Sequence, residues 1–343
     1  PLDLPEDPQE LEDWFRDIEV TPVEEKSDKE AFRYVRHYWR IPYSTTPGRS
    51  LSFLIRKKNE SVIGIMTLSS PTLWMSGRDQ AMGFEKLSRG GSKSDPESKK
   101  SWIERWARVG MTDRPAESLH PHSGQFSVTE FLSAMKKSLV RRLEQLPLTE
   151  MDLVIKEDLE RLGVDFESTR PTVDHLSVSE RNVKKRGRIL EKCYTSLKVL
   201  MAEPEITTIA DLWERVHGES NSGELLESLK QALREQKNHA FSGSVADISI
   251  CGAVPPYNPL RVGKLIAMLA MSKEVSRAWE GRYRDAESVI SSEVAGRAIR
   301  RKSDFAALAT TGLYGSGNIQ YDRVRVGEGP SVRRMRAIGI TGE

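Results

Sequence analysis

The sequence predicts a mixed α/β core interrupted by a large all-helical insert. Three patterns carry that expectation. Two strand-like runs, 51–56 and 61–68, are rich in Ile, Leu, Phe and Val and are separated by a short polar stretch, as in a hairpin. Another strand-like run, 245–254, lies far downstream. Between them, apolar residues recur at three- and four-residue intervals, the spacing of amphipathic helices. With 343 residues, 38% of them hydrophobic and 30% charged, the chain is too apolar for a disordered polymer and long enough for about two cores.

Each element has a local cause. In 27–40, Phe32, Val35 and Trp39 fall near helical spacing behind a cap at Ser27 or Asp28. Ile41-Pro42 stops that helix, because a residue before proline avoids the helical region. After the hairpin, the charged pair Arg78-Asp79 sits between Gly77 and Gly83. Residues 88–100 are Gly, Ser, Pro and charge with no apolar side chain, which marks a boundary. Helical faces follow: Trp102, Ile103 and Trp106, then Phe131, Leu132, Met135, Leu139 and Leu143, then apolar positions within 189–200 and 212–233. The strand at 245–254 ends in Pro255-Pro256. One helix is expected over 259–280, on a face of Leu260, Gly263, Ala267, Leu269 and Met271, with short strands at 305–310 and 335–341. The expected organisation is an acidic arm (1–30), a first core half (31–92), a helical insert (93–240) and a second core half (241–343). Pro1 in first place and the run ending at Glu343 lead us to expect trimmed ends.

The net charge of +2 conceals an asymmetry. Residues 1–30 carry twelve acidic side chains against three basic ones, which leaves an excess of eleven positive charges on the remainder. Such an excess favours an anionic partner, nucleic acid above all, with the acidic arm as its shield; an ordinary solvated surface gives the same count. Arg181, Lys184, Lys185, Arg186, Arg188 and Lys192 fall within about four helical turns and form the candidate nucleic-acid segment. Lys99, Lys100 and Arg105 with Trp102 and Trp106 make a second cationic group, in which the tryptophans either stack on unpaired bases or fill a helix core. DNA is the expected partner, and self-association through the helical faces is a further expectation. The longest apolar runs fall far short of the roughly 20 residues that cross a bilayer, so no membrane contact is expected. Two cysteines, Cys193 and Cys251, exclude a disulfide framework and a four-cysteine zinc site, which points to a reducing cytoplasm.

Three further clusters are candidates for an anion or a base. Arg78-Asp79 reads as a phosphate-holding pair or as a structural ion pair. Asn258, Arg261 and Lys264 converge at an expected helix start, which suits an anion or forms a rigid proline corner. Tyr314, Asn318, Gln320, Tyr321 and Arg323 crowd around Gly312, Gly315 and Gly317. There the glycines let a ligand approach the backbone and the polar groups suit a base edge, or else the stretch is a tight turn capped by Asn318. No tyrosine has a visible base or metal beside it, and His120 and His122 lack carboxylate company. Neither a catalytic residue nor a cofactor or metal is assigned.

Leaving out the insert, the element order resembles that of the N-acyltransferase-like (GNAT) fold. The hairpin 51–68 is similar to its second and third strands, with Gly64 in the strand that would face substrate. The run ISICGAVPPYNPLRVGKLIAML is similar to its central strand, turn and helix. That resemblance implies acyl-CoA held at the turn by Arg261, Gly263 and Lys264, although Pro255, Pro256 and Pro259 remove three backbone donors there. Longer stretches resemble the DruA family of the Druantia anti-phage system: YWRIPYSTTPG at 38–48, then 62–68 with Arg78-Asp79, CGAVPPYNPLRVGKLIAML at 251–269, and TTGLYGSGNIQYDRVRV at 310–326. This second resemblance implies a bacterial antiviral defence role beside a helicase-type partner.

Overall fold

The structure, a computed structural model, describes residues 7, 9–10, 13, 16–39, 48–57, 61–72, 75, 78–79, 128–146, 180–203, 205–217, 223–258, 262–304, 306–311, 321, 324–327 and 332–335. In chain order the elements are β1 (Ile18–Pro22), α1 (Lys26–His37), β2 (Ser50–Lys57), β3 (Val62–Ser69), α2 (Val128–Glu144), α3 (Glu180–Ala202), α4 (Ile209–His217) and α5 (Glu224–Ser244). There follow β4 (Val245–Ala253), α6 (Val262–Leu269), α7 (Lys273–Tyr283), α8 (Val289–Ala295), β5 (Ala307–Ala309), β6 (Arg325–Val326) and β7 (Arg333–Arg334). They fall into two compact units, one of Pro1–Gly77, Ser242–Ala286 and Lys302–Glu343, the other of Arg78–Phe241 and Glu287–Arg301. No helix among the described residues is long and apolar enough to cross a membrane.

The first unit is the expected mixed α/β core. Its five-stranded sheet runs β1-β2-β3-β4-β5, with antiparallel neighbours except for the parallel pair β4/β5. Alternation sends Phe53 and Ile55 to one face and Leu54 to the other. On the first face they join Ile266 of α6 and Val275 and Trp279 of α7. On the second, Leu54, Ile65 and Ile250 meet Val35 of α1, with Phe32 and Trp39 at the margin. Phe53 is fully buried, so its truncation to alanine costs about 3–5 kcal/mol. Between the pairs Leu68↔Ile248 and Thr67↔Ile250, Ser249 is an extra residue. This bulge shifts the alternation, which is why Ile248 and Ile250 serve opposite faces.

Two neighbouring glycines open the two faces. A Cβ on Gly64 would strike Ile266 Cδ1, and one on Gly252 would lie 2.5 Å from Trp39 Cζ2. Gly64 lies in the strand expected to face substrate, and its missing side chain admits helix α6 to the sheet.

The second unit is built of helices. Phe131, Met135, Leu139 and Leu143 on α2 pack with Leu190, Cys193, Leu197 and Leu200 on α3 and Leu225, Leu229 and Ala232 on α5. Their three- and four-residue spacing is the pattern read from the sequence. Ser138 Oγ donates 2.8 Å to Met135 O and also lies 2.9 Å from Ala232 O, which ties α2 to α5.

Three elements differ from expectation. Ile18–Pro22, assigned to the acidic arm, is the first strand of the sheet and pairs with β2 from Ile18↔Lys57 to Pro22↔Phe53. The single helix over 259–280 is two helices, because Ser272 caps α7 by accepting from Val275 N at 3.3 Å. The short pair β6/β7, Arg325↔Arg334, was not anticipated. The expected strand 335–341 lies outside the described residues apart from Met335, whose N–H bonds Val324 O at 3.0 Å.

Candidate nucleic-acid interface

Helix α3 sorts its residues by register. At about 100° per residue, Leu190, Cys193, Leu197 and Leu200 share the core side, and Arg188, Glu191, Lys192, Thr195 and Lys198 are exposed. On the same count Arg181, Lys184, Lys185, Arg188 and Lys192 fall within an arc of about 100°, a cationic stripe about 16 Å long. Arg186 is not part of it. Its register turns it inward, where it is 2% exposed and Nε donates to Val294 O at 3.0 Å. Five of the six expected phosphate-binding residues thus share one helical face, and the sixth is a core residue that fastens α3 to α8.

The other candidates resolve differently. Arg78 and Asp79 are both 1% exposed, with Arg78 Nε and Nη2 donating to Asp79 Oδ1 at 3.2 and 3.1 Å. Lys237 Nζ donates to Asp79 Oδ2 at 2.5 Å, and both cations stand over the Phe241 ring at 4.9 and 5.3 Å. These bonds are to protein, in a buried cluster joining the two ends of the segment Arg78–Phe241. Asn258 is exposed and Lys264 half-buried; between strand and helix the turn closes on itself, with Tyr257 N donating to Val254 O at 2.8 Å. Tyr321 packs beside Ala267, Met271 and Val324, and it bonds the Cys251 thiol. Tyr321 thus lies against α6, the helix that carries Lys264. Arg261, Tyr314, Asn318, Gln320 and Arg323, along with Lys99, Lys100, Trp102, Arg105, Trp106, His120 and His122, lie outside the described residues.

Sequence reasoning missed Lys237 and a second buried group on α5. Glu235 pairs with Arg142 Nε at 3.3 Å and accepts from Gln231 Nε2 at 2.9 Å, while Gln231 also approaches Cys193 Sγ at 3.8 Å. Burial pushes the Glu235 carboxyl above its usual value, against the pull of Arg142 and Arg234. The available signal was a helix whose apolar stripe is interrupted by Gln231, Glu235 and Lys237.

Residues 3–92 and 231–341 match the family model of the Druantia protein DruA, more than half of the chain. The chain belongs to the DruA family. One curated DruA relative, Druantia protein DruA of Escherichia coli (strain UMEA 4076-1), is 30% identical over 99 residues, 29% of this chain and 22% of that protein. The match thus spans about a fifth of the relative's length. No solved structure matches. The two segments that define DruA membership leave out 93–230, so α2, α3 and α4 lie outside them, whereas α1, the sheet, Asp79 and Lys237 lie inside.

Proposed function

We propose that this chain is the nucleic-acid-engaging component of a cytoplasmic Druantia-type anti-phage defence system, with α3 as a phosphate-binding helix. The observation that carries the reading is the stripe on α3, where Arg188 and Lys192 stand exposed one turn apart in register with Arg181, Lys184 and Lys185. Cations spaced along one helix face neutralise successive phosphates without reading bases, so the binding is independent of sequence and sensitive to salt. The positive excess beyond residue 30 supports the same partner. A helicase-type component and a second copy of the chain are the protein partners this reading implies.

The test is a titration of labelled duplex DNA over a range of salt. Reversing Lys184, Lys185, Arg188 and Lys192 to glutamate is expected to weaken binding by more than about tenfold and to flatten the log-log salt slope by about one unit for each phosphate no longer neutralised. Glu191→Lys, beside the stripe, should tighten it. Affinity that ignores both salt and reversal rejects the reading. A rival follows from the strand order, a CoA-dependent N-acyltransferase with its anion turn at Asn258 and Lys264; calorimetric heat from acetyl-CoA without DNA binding would favour it.

A further inference from the structure

Helix α1 packs one side on the sheet through Val35, Ala31 and Phe32. One flank carries two large rings that nothing among the described residues covers: Tyr34 and Tyr38 are 66% and 57% exposed. The rings stand edge to face with centroids 5.4 Å apart, and their hydroxyls are 2.8 Å apart. A paired aromatic surface held in water on successive turns of one helix marks a binding surface, because each ring forgoes burial it would otherwise gain. The edge-to-face arrangement sets one ring's edge against the other's face, and the pair itself covers none of the remaining faces.

The opposite flank of α1 borders an open cleft of about 600 Å³. Lys29 and Arg33 from α1 and Arg282 from α7 line it with Phe32, Ser50 and Glu24. Three cations face one carboxylate there, so the cleft suits an anion. It is partly open to solvent, which leaves room for a ligand that extends beyond it. All of these residues belong to the first unit and to the segments that define family membership.

Cations in a cleft on one flank of α1 and exposed aromatic rings on the other together match one partner, an unpaired nucleic-acid strand crossing the helix, whose phosphates meet the charges while its bases stack on the rings. A duplex keeps its bases stacked on each other and offers no such faces. An acidic peptide would satisfy the cations and leave the rings unused. We propose that α1 is a single-strand platform, with Tyr34 and Tyr38 stacking on unpaired bases and Lys29, Arg33 and Arg282 holding the flanking phosphates. The proposal rests on the reading that the chain engages nucleic acid, and it adds a surface separate from α3 and the form of ligand that surface takes.

The experiment measures fluorescence anisotropy of an oligothymidine of about twenty nucleotides and of a duplex of equal length. It compares the unaltered chain, the double variant Tyr34→Ala/Tyr38→Ala, its counterpart Tyr34→Phe/Tyr38→Phe, the reversal Arg33→Glu/Arg282→Glu, and the α3 reversal. Since both tyrosines are exposed, the alanine variant should fold, which an unchanged melting temperature verifies. We expect it to bind oligothymidine at least about tenfold more weakly while duplex affinity stays within about twofold. The phenylalanine variant, which keeps the rings, should bind as the unaltered chain does, and the Arg33/Arg282 reversal should weaken strand binding and flatten its dependence on salt. An alanine variant that leaves strand binding intact, or lowers strand and duplex alike, overturns the platform while the α3 reading stands. If the α3 reversal is silent and the alanine variant abolishes strand binding, the α3 reading fails and the platform holds. Binding of neither form by the unaltered chain removes both.

Discussion

Asp79 and Lys237, 158 positions apart in the chain, meet in a buried ion pair at 2.5 Å, with Arg78 on the other carboxylate oxygen. Breaking a buried pair strands a charge away from water, so Asp79→Ala is expected to cost about 3–5 kcal/mol. The exposed pair Glu227–Lys230 provides the contrast, since its removal should change stability by less than about 1 kcal/mol. Urea unfolding followed by far-UV circular dichroism compares the two, and equal effects would contradict a structural role for Asp79.

Glu235 predicts a pH dependence. Because burial raises its carboxyl above 4.5 in the folded chain, the folded state holds that proton more tightly than the unfolded one. Its contribution to stability is therefore full below about pH 4.5 and is lost as pH climbs through the raised value. Glu235→Gln should flatten the fall of unfolding free energy with pH just above 4.5. An unchanged slope in the variant would assign the effect to another group.

Burial pushes the thiols of Cys193 and Cys251 up to about 12, with Glu235 adding to the effect at Cys193 and Gln231 and Tyr321 opposing it at the two sites. Thiolate is the reactive form, so at pH 8 both should react with a disulfide reagent at least a hundredfold more slowly, on an order-of-magnitude basis, than after denaturation. Rapid labelling of the folded chain would show that one of these packing sites opens readily.

Gly64 and Gly252 predict similar losses on opposite faces of the sheet. Gly252→Ala presses on the Trp39 ring, so a loss of about 1–3 kcal/mol should come with a shift in tryptophan emission. Gly64→Ala presses on Ile266 and should cost a similar amount without disturbing Trp39. The pair Gly64→Ala/Ile266→Val, which trims the obstructing methyl group, should recover part of that loss.

The hairpin, β4 and the helices of the second unit were legible because their apolar residues repeat at periods of two or of three to four. Strand β1 escaped because Ile18 and Val20 alternate within an acid-rich segment, and only their pairing with β2 gives them a buried neighbour. The break at Ser272 carried a cap signal, but apolar spacing on either side of it masked the stop. Arg186 shows the limit of counting charges: six basic residues in one helix make a cluster in sequence, yet helical rotation places one of them in the core. Lys237 was invisible for the complementary reason, since its partner lies 158 positions away.

The chain leaves the sheet after β3 and re-enters it as β3's own hydrogen-bonded neighbour, at Ser69↔Asp247. Between those two strands the chain runs from residue 70 to 244, and a change in the length of that detour leaves the strand order intact. The entropic cost of closing such a detour grows only logarithmically, by about 0.6 kcal/mol for each doubling of its length. By that measure a change of length between β3 and β4 adds little to the cost of forming the sheet.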